Sequence, residues 1–393
     1  VKNNESEWQV IGPDGQPIGD VYDKVYTLHN INGQCYFRAE KAGRKFVVGP
    51  DGKAVGGEFD GVTGPYNRAG KCYFIATQAG KDFVVGPDGK RIIDGYDFIG
   101  IPELVAGILY ASVEKDNQKF IVDANNHQVS KLTYRSVGGP CDVGGECYFI
   151  ASQDNPSGDR QWFLTNLAGD MISDKHGQVG YPKDIGGQCY YWVKDGNAMS
   201  MFGPQGGIGS EYRGVNDPVN IGGQCYFIAE DKGKKMVVDP NGEVLTSGDE
   251  IETIKDIGGR PYFKVYRDGN WEVHSSSGII GFYGQVDELH DIGGQCYFIA
   301  LKSGGRKLVR PDGSEVGGFA KMKIYNVNEQ CFLEINNHAG SFIADVDGRL
   351  ISATDRLPDK FDIILAVGPA KNDQLYVTGK MDNKLVTRLY PME

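Results

Sequence analysis

The sequence predicts an all-β fold assembled from about ten short repeats, and three observations carry that prediction. A five-residue phrase recurs along the chain, most clearly at residues 72–76, 225–229 and 296–300, where it reads Cys-Tyr-Phe-Ile-Ala. Its second position is filled by Tyr36, Tyr73, Tyr110, Tyr148, Tyr190, Tyr226, Tyr262, Tyr297, Phe332 and Tyr376. The spacing defines a unit of about 36 residues, within the range of repeat-built folds. Glycine fills 56 of 393 positions, roughly twice the usual share. It clusters between short apolar runs, where hairpins turn.

Within a unit the elements follow in a fixed order. In residues 249–283 a first strand at 251–257 leads through Gly258-Gly259 to a second at 261–266. The turn Asp268-Gly269-Asn270 starts a third strand at 271–273, and Ser277-Gly278 leads to a fourth beginning at Ile279. Turns of two to four residues rich in Gly, Asn and Asp between such runs are hairpin signals. The third strand commonly ends in Gly-Pro-Asp-Gly, as at 49–52 and 86–89. There Pro presets a type I turn, Asp caps it and Gly closes it.

The recurring phrase then selects an architecture. Cys225, Phe227 and Ala229 point one way along a strand while Tyr226 and Ile228 point the other, so both faces are apolar. A small sheet covered on both sides by similar sheets is a β-propeller blade. An open β-solenoid is the alternative. An orphan third strand at 8–11, with its turn at 12–15, precedes the first complete unit, and the last unit stops after its own third strand at 384–389. The reading is therefore one repeat domain over 1–393, ten blades closed by pairing of N- and C-terminal strands. Two smaller rings are the alternative. Insertions fall near 153–161 and 353–373.

Spacing also brings out a family likeness. Seven residues before the Gly that ends the third-strand turn stand Trp8, Trp162 and Trp271, and Tyr-Asp or Phe-Asp pairs follow at Tyr22-Asp23, Phe59-Asp60, Tyr96-Asp97 and Phe361-Asp362. These residues resemble the WG-repeat family of bacterial proteins, although Gln9, Phe163 and Glu272 replace the Gly that follows Trp in that family. The resemblance implies a repeated β interaction module and brings no catalytic residue with it.

Composition and motifs narrow the function. With 41 basic against 52 acidic side chains the chain carries −11, which disfavours a nucleic-acid partner, whose phosphates select Lys and Arg. No run approaches the roughly 20 apolar residues of a transmembrane helix, and no N-terminal stretch reads as a signal peptide. Cys35, Cys72, Cys147, Cys189, Cys225, Cys296 and Cys331 share one repeat position with Leu109, Pro261 and Leu375. A slot that accepts Cys, Leu or Pro is apolar, so these are expected to be buried free thiols. Cys141 is out of register and is the candidate exposed thiol.

No Cys-x-x-Cys and no His-x-x-x-His occurs, and no metal or cofactor is expected. Residues 64–72 miss the phosphate-loop spacing, and the acidic stretches at 123–126 and 345–348 read as ordinary turns lacking a complete calcium loop. Asp97, Asp249 and Glu252 are the carboxylates that distant repeats could bring together for glycoside hydrolysis. Residues that break the repeat are the better contact candidates, because loops on a rigid scaffold carry function. They are Asp154, Asp159 and Arg160 in the first insertion, Tyr191 and Trp192, and the second insertion. The leading expectation is a non-catalytic binding scaffold for a protein partner. A lectin with repeated sugar sites comes second, and a glycan-acting enzyme third.

Overall fold

The computed structural model describes residues 2–4, 7–12, 15–337, 340–351, 360–370, 374–381 and 384–391. Among them there is no helix, and every sheet is antiparallel. Packing divides the chain into two compact units, Val1–Gly207 and Ile208–Glu393.

Both units are built from the predicted repeat. In the first, Gly61–Arg68, Lys71–Gln78, Lys81–Val85 and Arg91–Tyr96 lie side by side in sequence order. In the second, Gln285–Ile292, Gln295–Lys302, Gly305–Val309 and Glu315–Phe319 do the same. Val244–Gly248 and Gly278–Tyr283 are full fourth strands as well, whereas in other repeats the fourth strand shrinks to isolated bridges, such as Lys45 with Phe59 and Val48 with Ala54. The first strand is often broken. Phe98–Ile99 and Glu103–Val105 both pair with Ile108–Lys115, and the gap holds Gly100, Ile101 and Pro102. Proline has no N–H to give to the ladder, which accounts for breaks beside Pro140, Pro182 and Pro218 as well.

The expectation that the second strand is apolar on both faces is met. Cys296, Phe298 and Ala300 join Val273 and Tyr283 of the preceding repeat in one core cluster. Tyr297 and Ile299 join Cys331 and Leu333 of the following repeat in the next. In the first unit Cys72, Phe74 and Ala76 pack with Ile31 and Val47, while Tyr73 and Ile75 pack with Leu109 and Ala111. Alternation thus sorts side chains between two neighbours rather than between core and water. Complete burial of a Phe such as Phe298 contributes about 1.5–3 kcal/mol.

The orphan strand Glu7–Ile11 is present and pairs with Lys2–Asn4 on one side and Pro17–Tyr22 on the other. In the last repeat Lys384–Pro391 pairs with Gln374–Met381. Pro13 and Asp14 of the first turn, and residues 352–359 and 371–373 of the second insertion, lie outside the described residues.

Candidate functional site

Two of the carboxylates that sequence singles out for chemistry, Asp97 and Asp249, pair with lysines of neighbouring hairpins, and Asp60 of the Phe-Asp pair is held in the same way by an arginine. Asp60 accepts the backbone N–H of Ala79 at 2.9 Å and pairs with Arg44. These bonds hold its pKa below the usual carboxylate value, the Ala79 N–H most of all. Asp97 accepts from Asp116 N–H at 3.1 Å and pairs with Lys81, the larger influence lowering its pKa. Ala79 and Asp116 both sit in left-handed backbone at the next hairpin, with φ of 52° and 51°. That conformation costs an L-residue about 1–2 kcal/mol, and the carboxylate's hydrogen bond offsets part of it. The Tyr-Asp and Phe-Asp pairs are thus repeat-joining devices: the ring is buried, as at Phe59 and Tyr96, and the acid fastens the neighbouring turn. Asp249 is likewise paired with Lys234, which lowers its pKa.

A second acidic device ties adjacent Gly-Gly hairpins. Asp184 accepts Gly187 N–H on one carboxylate oxygen at 2.8 Å and Gly144 N–H of the preceding repeat on the other at 3.0 Å. Asp256 repeats this with Gly259 at 2.8 Å and Gly222 at 3.1 Å. The backbones come so close that a Cβ on Gly258 would stand 2.3 Å from the Gly294 carbonyl oxygen.

All eight cysteines are free. Burial pushes the thiol pKa of Cys72, Cys147, Cys225, Cys296 and Cys331 up to about 12. In several repeats the Tyr shares a cluster with the next repeat's slot residue, as Tyr148 does with Cys189 and Tyr297 with Cys331. Sulfur against an aromatic edge is a favourable contact. Cys141 departs from expectation. It is half-buried, its Sγ lies 3.8 Å from the Gly139 carbonyl oxygen, and burial pushes its pKa up to about 11.

The candidate contact residues occupy two places. Asp154, Asp159 and Arg160 sit at a hairpin end whose turn is closed by Asn155, which accepts the N–H groups of Ser157 and Asp159 at 2.9 Å each. Asp154 pairs with Arg135 at 3.3 Å. Glu146 begins the same strand, Glu146–Asp154, and at strand rise Asp154 lies about 27 Å from it. Tyr191 belongs at the Glu146 end. It is 5% exposed, stacks on Phe202 at 5.7 Å, and donates to the Ile172 carbonyl at 3.4 Å. Burial pushes its pKa up to about 12. Trp192 faces the other side of the strand, its indole filling the space above Gly180.

Sequence reasoning missed a recurring cleft between repeats. A cavity of about 680 Å³ is framed by Gly144, Glu146 and Tyr148 of one repeat and by Gln188 and Cys189 of the next. In the second unit one of about 780 Å³ is framed by Gly293, Gln295 and Tyr297 and by Gln330 and Cys331. The two sets occupy identical repeat positions. Tyr148 donates to Glu146 at 2.8 Å and Tyr297 to Gln295 at 3.3 Å. Fourth-strand residues form the outer wall, Met171 and Ile172 in one and Leu350 and Ile351 in the other. His176 also lines the first cleft, with Nδ1 2.6 Å from Asp195. That interaction and the Gly177 N–H outweigh partial burial and lower the pKa of Asp195. The signal was in the phrase Gly-Gly-Gln/Glu-Cys-Tyr, whose polar third residue marks the cleft mouth.

A different recess, about 570 Å³, brings Asp217 and Glu252 into one lining at two broken first strands. Glu252 is paired there with Lys264 at 2.6 Å. Among the described residues no three His, Cys, Asp or Glu side chains converge as a metal site.

No family model matches the chain, and no curated protein matches it in sequence. Solved structures similar to it include the crystal structure of the eukaryotic initiation factor, at 9% identity and TM-score 0.43 over 75% of this chain and 87% of that one. Apo AztD from Citrobacter koseri gives 13% and 0.33 over 72% and 92%. The β-propeller domain of the Trilobed protease from Pyrococcus furiosus gives 10% and 0.29 over 67% and 95%. At these values they bring no functional residue to this chain.

Proposed function

We propose that the chain is a non-catalytic binding scaffold of the β-propeller type, with its repeats as blades and a protein as partner. The observation that carries this reading is the use of the reactive-looking acids. Asp60, Asp97, Asp184 and Asp256 each fasten a neighbouring hairpin, so they serve the stacking of repeats. The Tyr-Asp pairs that carry the WG-repeat resemblance fit the same role. Closure of ten blades into one ring belongs to this proposal. Its test is isolation of a stoichiometric complex from the source cell, followed by reconstitution from purified components. A reconstituted complex is expected; failure to recover any stoichiometric partner would count against the scaffold.

Two further readings each have one observation in their favour. Recurrence of the clefts at the same repeat positions favours a lectin, since a lectin of this build has equivalent repeated sites. The recess shared by Asp217 and Glu252 favours a glycan-acting enzyme, because hydrolysis of glycosides uses two carboxylates.

A further inference from the structure

We infer that the two equivalent clefts are docking sites for a basic, aliphatic segment of a protein partner, an extended stretch presenting Lys or Arg beside Leu, Ile or Met. This rests on the scaffold reading and names the chemistry of the partner.

Charge is the first argument. Glu146 and Asp174 line the first cleft, whose lining includes no Lys or Arg; the neighbouring Lys175 donates to Gln153, and the one His of the lining is held by Asp195. Glu329 and Asp345 line the second against Arg349, which lies 3.7 Å from Asp347. Both clefts are therefore acidic in a chain of net charge −11, a field that draws and orients cationic segments. Shape and polarity are the second argument. The outer walls expose saturated chains, with Met171 55%, Ile172 38% and Leu350 45% exposed. Exposed aliphatic groups beside acceptors suit an aliphatic side chain flanked by ammonium or guanidinium groups. A sugar needs an open aromatic face, but the Tyr191 ring is covered by Phe202 and the Tyr148 ring packs into a core cluster. Recurrence at the same repeat positions is the third, since independent cavities with the same frame are a property of the repeat.

The experiment titrates the full chain into a fluorescein-labelled peptide of alternating Lys and Leu, with a Glu-Leu peptide and maltohexaose as the other arms. Two equivalent sites per chain are expected, weakening with added salt. Met171→Lys should remove one site and Leu350→Lys the other, because each replaces an aliphatic wall residue by a charge that repels the peptide. The double variant should weaken binding roughly tenfold or more with its circular dichroism spectrum and melting temperature unchanged, because both residues are exposed. Absence of saturable binding, equal binding of the Glu-Leu peptide, or binding untouched by both substitutions would overturn the assignment. So would saturable binding of maltohexaose that the same substitutions abolish. If the clefts fail while a reconstituted complex exists, the scaffold stands and its contact surface lies elsewhere.

Discussion

Cys296 shares its apolar cluster with Tyr262 of the preceding repeat, and this pairing explains why one position tolerates Cys, Leu and Pro but no charge. Replacing Cys296 by Ala should cost about 1 kcal/mol through lost packing, whereas Ser, which buries a hydroxyl, should cost about 1–3 kcal/mol. Chemical denaturation of the two variants measures the difference. The thiols also predict a pH dependence. Each buried Cys has a folded pKa raised above its unfolded value, so its contribution is fully present below pH about 9 and is lost as the pH rises toward about 12. Melting temperature should therefore fall in that alkaline window, and a thiol reagent at neutral pH should label the buried set only after denaturation. The slot was legible in the sequence because seven copies share it. Cys141 was not, since an out-of-register residue has no copies to report its surroundings. Tyr191 and Trp192 show the same limit: alternation puts them on opposite faces, yet only packing decides which face meets the cleft.

Hairpins set the stability of the repeat, and the acids between them are the next level of organisation. Asp256→Ala removes two charge-assisted bonds, to Gly259 and Gly222, and should destabilise by about 2 kcal/mol. Asp256→Asn keeps one acceptor oxygen and should recover roughly half of that loss. Glycine substitutions separate strain from contact. At Gly223 the backbone is left-handed (φ +83°) with open space around a Cβ, so Ala should cost only about 1–2 kcal/mol. At Gly258 the same substitution also meets the Gly294 carbonyl oxygen and should cost more than about 2 kcal/mol. Equal melting temperatures for these two variants would show that the close approach is absent. Strand order and turns were readable because Gly, Asn and Asp mark them locally. The broken first strands were not foreseen, although Pro102, Pro140, Pro182 and Pro218 recur at the breaks and supply the signal.

At the scale of the whole molecule, repeats within each unit pack on their neighbours through both faces of the second strand, as Phe298 and Tyr297 show in the second and Phe74 and Tyr73 in the first. Stability in such arrays is approximately a sum of repeat and neighbour terms. Function then has to come from residues that the stacking leaves over. The clefts are made by two consecutive repeats at once, so no single unit of sequence displays them. The recess with Asp217 and Glu252 has the same origin, and it is where the scaffold account meets its sharpest alternative. The most direct test is a turnover assay on a panel of oligosaccharides for the wild-type chain and an Asp217→Asn, Glu252→Gln variant, run beside thermal melting. The scaffold account predicts no turnover by either protein, and a lower melting temperature for the variant because the Glu252–Lys264 ion pair is lost. Turnover by the wild type that vanishes in a variant of unchanged melting temperature would contradict it.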